Sequence, residues 1–241
     1  MKKILWMLIG VFLFGYSAKV EPFDKFNIKA SVGGKVIEAN KDLEAKDVNE
    51  VIIKLDDTTE KIDIKNIQNQ INILKEEIKN QEEIVKRKFE TYKRYQKLKT
   101  KSLEEKNLKF YDYMAAKNQL LNLKSQLSNL IANKNKLKDI INKKNIKANG
   151  YIEKIFVNKG DYVAPGALVA VVDNIKKQKI TIYVPISEDI KNKSVYINGK
   201  KSNFKIYKVW RVPDSEYITS YKVEIVGKGL KLSEIVKIDL K

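Results

Sequence analysis

Between Lys61 and Lys143 the chain has no proline and no glycine, and apolar residues recur at alternating spacings of three and four. In the first arm they are Ile64, Ile67, Ile71, Leu74, Ile78, Val85, Tyr92 and Tyr95, with Gln81 and Lys88 as polar breaks. In the second they are Tyr113, Ala116, Leu120, Leu123, Leu127, Leu130, Leu137 and Ile141, with Lys134 as the break. This is an a/d heptad seam, the pattern of helices that bury a narrow stripe against one partner. The period fails between Leu98 and Ser102, and Ser102 followed by Glu105 reads as a helix start with a capping box. Each arm spans about forty residues, or roughly 60 Å at 1.5 Å per residue. The same pattern fits two helices of a bundle or one continuous coiled-coil dimer. Equal arms around one short break favour an antiparallel hairpin.

The chemistry available to the chain is limited. It has 241 residues, no cysteine and no histidine. Disulfides and thiolate metal sites are therefore excluded, and the commonest general base is missing. No Ser/Lys or paired-carboxylate spacing stands out, so the chain reads as a non-enzyme with no catalytic, cofactor or metal residues. The net charge of +18 raises the question of a polyanion partner. The lysines are spread along the whole chain among many Asn and Ile, which reads as compositional bias and not as a nucleic-acid surface.

Met1 to about Ala18 has the layout of an export signal. Lys2 and Lys3 precede an uncharged run from Ile4 to Tyr16, and Gly15 and Ser17 are small residues one apart. The run is shorter than a bilayer-spanning helix. Cleavage after Ser17 or Ala18 is expected, which places the mature chain outside the cytoplasm.

Both flanks of the helical stretch read as short strands. Phe26, Ile28 and Ala30 alternate before Gly33-Gly34, Val36-Ile37 resumes the strand, and Val51, Ile53 and Leu55 alternate before Asp56-Asp57. Beyond the helices, Gly150 opens alternating strands. These are punctuated by the turns Gly160-Asp161 and Pro165-Gly166 and closed by Val171-Val172-Asp173. This second flank resembles a biotinyl/lipoyl-carrier half-motif. The first is similar to a degenerate copy, with Gly34-Lys35-Val36 as its opening and Ile53-Lys54-Leu55-Asp56 as its close. No Met-Lys-Met or Asp-Lys-Ala tripeptide is present, so neither lipoate nor biotin is expected.

Two lipoyl halves around a helical hairpin resemble the membrane fusion proteins, the periplasmic adaptors of haemolysin-D type. From Lys179 onward further alternating strands follow. They include an Asn198-Gly199 hairpin turn, and a short helix is expected over Ile186–Ile190. These resemble the small antiparallel β-barrel that follows the lipoyl domain in that family.

The expected fold is thus α+β, with a long antiparallel coiled-coil hairpin inserted in a lipoyl-like β-sandwich and a small antiparallel β-barrel after it. The expected divisions are 1–18 signal, 19–57 first half, 58–145 hairpin, 146–175 second half and 176–241 barrel, with at most a remnant of a membrane-proximal domain. The resemblance implies a periplasmic adaptor of a tripartite efflux or secretion system. Its partners would be an inner-membrane transporter (ABC or proton-driven) and an outer-membrane channel of TolC type. It would associate with itself in a ring, hexameric in the family. The family's tip pattern of Arg, Leu and Ser falls on Arg94, Leu98 and Ser102, with Ser102 closer to Leu98 than the pattern has it. An exported structural coiled-coil envelope protein with no transporter is the competing reading.

Overall fold

The computed structural model describes residues 15–212 and 216–241. In chain order the elements are β1 (Tyr16–Lys29), β2 (Gly34–Ala39), a 3₁₀ turn at Lys41–Leu43, β3 (Asp47–Leu55), α1 (Thr58–Lys97), α2 (Leu103–Lys144) and β4 (Asn145–Ile155). They continue with β5 (Tyr162–Val163), β6 (Leu168–Pro185), β7 (Val195–Ile197), β8 (Lys200–Lys201), β9 (Lys205–Trp210), β10 (Ser220–Gly227) and β11 (Ile235–Leu240). The class is α+β, with antiparallel strand pairing throughout and two long helices.

The segments on either side of the helices belong to one unit. β3 pairs antiparallel with β4 from Asp47↔Tyr151 to Lys54↔Asn145, and β4 pairs with β6. Ala30, Val36, Ile52, Ile53 and Leu55 share a core with Ile146, Ile152, Ile155, Val163, Val169 and Val172. Alternating β-branched residues from both flanks meet there, and their burial favours folding by roughly 1.5–3 kcal/mol per fully buried large side chain. Between β2 and β3 the first flank turns without glycine. Ala45 takes φ +63, its N–H donates to the Ile152 carbonyl at 2.9 Å, and Glu44 accepts the Ile155 N–H at 2.8 Å.

A second core gathers Val20, Ile180, Ile182, Val184, Val195, Ile197, Phe204, Val223, Ile225, Val236, Ile238 and Leu240. β1 and β6 are long enough to serve both cores. They pair with each other from Val20↔Ile180 to Lys29↔Leu168.

Three expectations need correction or placement. The strands of the second core do not close into a barrel. Among the described residues their order runs β9-β10-β6-β1-β11-β7-β8, and β8 and β9 do not pair with each other. β8 is only two residues long, and the Ser202 hydroxyl turns back to the Val195 carbonyl at 2.9 Å, so the ladder stops there. The short helix over Ile186–Ile190 is absent. One turn forms between Pro185 and Glu188, and the Asp189 carboxylate accepts the Lys191 N–H at 3.0 Å, a local bond that competes with helix. The export-signal reading falls on residues outside those described, up to residue 14. Tyr16, Ser17 and Ala18, where cleavage is expected, begin β1 and pair with Ile238, Lys237 and Val236.

The hairpin follows the heptads. Ile71, Leu74, Ile78, Ala116 and Leu123 are buried along the seam, and Leu120, Leu127 and Leu130 pack beside them. Each polar break finds a partner across the hairpin. Gln81 donates to the Ala116 carbonyl at 2.8 Å, Lys88 lies 3.6 Å from Asp112, and Lys134 donates to Gln68. Paired polar groups at a and d positions fix the register of the two helices.

Candidate functional site

The helices exchange direction at residues 98–102, about 60 Å from the sheet at 1.5 Å per residue. α1 ends on Leu98, whose backbone turns to φ −79°, ψ 120°. Arg94 and Lys97 stand in its last turn, where cations complement the helix dipole. Arg94 is exposed, and Leu98 is 39% exposed although it is apolar.

Ser102 is the N-cap of α2. Its hydroxyl accepts the Glu105 N–H at 3.2 Å, and the Glu105 carboxylate accepts the Ser102 N–H at 2.9 Å. Lys101, 2.8 Å from Glu105, holds that carboxyl below its ordinary pKa, and the Ser102 N–H adds to the effect. Ser102 is therefore engaged in the cap, whereas the Arg94 and Leu98 side chains are exposed. Ser102→Ala removes one cap bond and should lower stability by about 1 kcal/mol, measured by chemical denaturation.

Below the tip, rings from both helices close the end of the seam. Tyr92 stacks on Tyr113 with centroids 6.4 Å apart and meets Phe110 at 5.5 Å, and Phe89 meets Tyr113 at 5.1 Å. The Lys101 and Lys109 ammonium groups lie 5.5 and 5.7 Å from the Tyr95 ring. Tyr92, Tyr95 and Tyr113 thus work within the hairpin. The outward apolar residues are others: Leu103 is 74% exposed, Tyr111 64% and Leu108 55%. Leu103 and Leu108 lie off the a/d rows, so the seam pattern does not mark them, whereas Tyr111 belongs to the run of aromatic residues near the tip. Off-seam apolar residues in a polar helix are the signal that would have found them. Among the described residues no group of His, Cys, Asp or Glu is placed to hold a metal ion, and no helix is long and apolar enough to cross a membrane.

Neither a protein-family model nor a curated protein sequence matches the chain. Solved structures do. MacA from Actinobacillus actinomycetemcomitans is similar over 94% of this chain and 77% of its own, with 14% identity and a TM-score of 0.77. The membrane fusion protein Spr0693 from Streptococcus pneumoniae R6 is similar over 93% of this chain and 99% of its own, with 8% identity and a TM-score of 0.62. A putative efflux transporter from Bacteroides eggerthii DSM 20697 is similar over 94% and 68%, with 15% identity and a TM-score of 0.55. The chain carries the membrane fusion protein fold.

Proposed function

We propose that this chain is a periplasmic adaptor, a non-enzymatic subunit that links an inner-membrane transporter to an outer-membrane channel of TolC type. One observation carries the reading: a β unit built from residues on both sides of the helices, with a stiff hairpin leaving from the break between them. A rigid two-helix arm serves to hold a few side chains far from the body. The exposed side chains at its end suit a groove between partner helices: Arg94 supplies a planar fork of donors, and Leu98 an apolar knob. Copies standing side by side would surround the conduit that one hairpin cannot. Their sheet units would rest against the transporter, whether ATP-driven or proton-driven. The divisions read from the sequence would be the working parts, the strands from 176 onward meeting the transporter.

The test is co-elution of the chain with a candidate channel. The double substitution Arg94→Glu, Leu98→Asp replaces the donor fork and the knob with carboxylates. It should weaken binding by about 2–4 kcal/mol if these are central contacts, that is by roughly thirtyfold or more. Unchanged co-elution would remove the tip from the docking role.

A further inference from the structure

The second core is uncovered at the corner where β8 and β9 fail to pair. Residues directly opposite each other on neighbouring strands share a face of the sheet. Val209 pairs with Val223 and Ile206 with Ile225, and both partners are fully buried. Tyr221 pairs with Val184, which is equally buried. Val209, Ile206 and Tyr221 therefore point to the core side of the sheet. Yet Val209 is 37% exposed, and Ile206 and Tyr221 are only partly buried. What they border is a cavity of about 1070 Å³. Its opposite wall is the turn segment from Ile186 to Val195, and the buried Phe204 ring closes it toward the core. Sites for drug-sized molecules occupy roughly 300–1,000 Å³ and are mostly apolar, with a few placed polar groups.

The rim of the cavity is cationic. Lys191, Lys201, Lys205 and Arg211 line it, are exposed, and have no ion-pair partner among the described residues. The two acids beside them are already engaged. The Glu188 carboxylate accepts the Tyr16 hydroxyl at 2.6 Å and lies 2.8 Å from the Lys193 ammonium. The Asp189 carboxylate accepts the Lys191 N–H at 3.0 Å. Four cations on both walls thus face an apolar surface that the fold leaves wet.

We propose that this cavity binds a small anionic amphiphile, a molecule with an apolar body and a carboxylate or phosphate head. The body leaves water by covering Val209, Ile206 and Tyr221. The head is held at the rim, where the Arg211 guanidinium presents a planar fork that matches either group and the lysines add compact charge. A neutral apolar molecule would gain nothing from the cations, and a cationic one would meet four like charges. This site stands apart from the adaptor reading, which concerns the hairpin and the β unit at its base.

The test is calorimetric titration of the full chain with dodecanoate, kept below its micelle-forming concentration. One molecule should bind per chain, and dodecanol and dodecyltrimethylammonium should bind at least roughly tenfold more weakly. The rim reversal K201E/K205E/R211E should weaken dodecanoate by roughly tenfold or more. K65E/K86E/R87E makes the same change of net charge on exposed α1 residues and should shift it by less than about threefold, because those charges are distant and screened. Val209→Asp places a carboxylate where the apolar body sits and should also abolish the tight binding. A thermal melt confirms that each variant is folded, and the rim variant, confined to exposed side chains, keeps the test open if V209D is not. Dihexanoyl phosphatidylglycerol, soluble as a monomer, is titrated beside dodecanoate, and the tighter of the two identifies a lipid or a free acid as the source. Failure of both to bind, equal binding of the cationic amphiphile, or equal losses in the rim and α1 variants would overturn the site.

Discussion

Lys144→Met should be among the most damaging single substitutions in the hairpin, costing about 3 kcal/mol or more of folding stability. Lys144 is the last residue of α2, and its side chain is 10% exposed. Its ammonium donates to Glu60 at 2.6 Å and to the Asp56 carbonyl at 2.7 Å. That one group ties the end of α2 to the first turn of α1 and to the end of the strand before it. Methionine keeps most of the volume but leaves the Glu60 carboxylate, one oxygen of which already has no partner, enclosed and unpaired. Removing one member of such a pair is worse than removing both, so Glu60→Leu in the same chain should recover part of the loss. Denaturant unfolding of the two single variants and the double variant checks this. A loss below about 1 kcal/mol for Lys144→Met would mean that the pair is solvated and the base of the hairpin is held by packing alone.

Gly150→Ala should destabilise the sheet by about 2–4 kcal/mol. Gly150 has φ +139°, a backbone state that L side chains rarely adopt. A Cβ there would lie 2.8 Å from the Asp173 carbonyl oxygen and 2.9 Å from Val172 Cγ1, both on the neighbouring strand β6. The neighbour at fault is backbone, so a side-chain rotation cannot relieve it. Gly199→Asn is the comparison, with φ +79° but open space around it. Asparagine tolerates the left-handed region, so that change should cost well under half as much in the same thermal melt. Similar losses at the two sites would mean that backbone strain dominates and the approach of β4 to β6 is looser than 2.8 Å implies.

The hairpin was the most legible part of the chain because its signal repeats. The a/d spacing repeated along both arms and one Ser-x-x-Glu cap specify the same two helices. The pairing of the flanks was legible from paired half-motifs, even where Ala45 and not glycine makes the turn. The start of β1 was not. Tyr16, Ala18 and Val20 alternate as a strand does, but they follow an apolar run that suggests a leader, and only the partner strand β11 shows their pairing. Tyr16 illustrates this: its hydroxyl donates to Glu188 at 2.6 Å, 172 residues away, and burial together with that carboxylate pushes its pKa above the ordinary value.

The open edge between β8 and β9 was invisible for a related reason. Closure depends on how long two short strands run, and a side-chain bond from Ser202 decides that. At the tip, the cap on Ser102 could be read from local spacing. The exposure of Leu103, Leu108 and Tyr111 could not, because exposure is a property of both helices together.

The most direct measurement is to excise the hairpin. Lys54 and Asn145 are paired neighbours on β3 and β4, so Asn-Gly in place of residues 56–144 leaves the three-residue loop Leu55-Asn-Gly between them, a common β-hairpin connection with Gly in its last place. If the sheet unit is one module built from both flanks, the shortened chain should remain a folded β protein, with a cooperative melt and protected amides at Ile53, Ile152 and Val172. An unfolded chain, with those amides exchanging freely, would show that the helices hold the two halves together, and would contradict a self-sufficient β unit from which the hairpin projects.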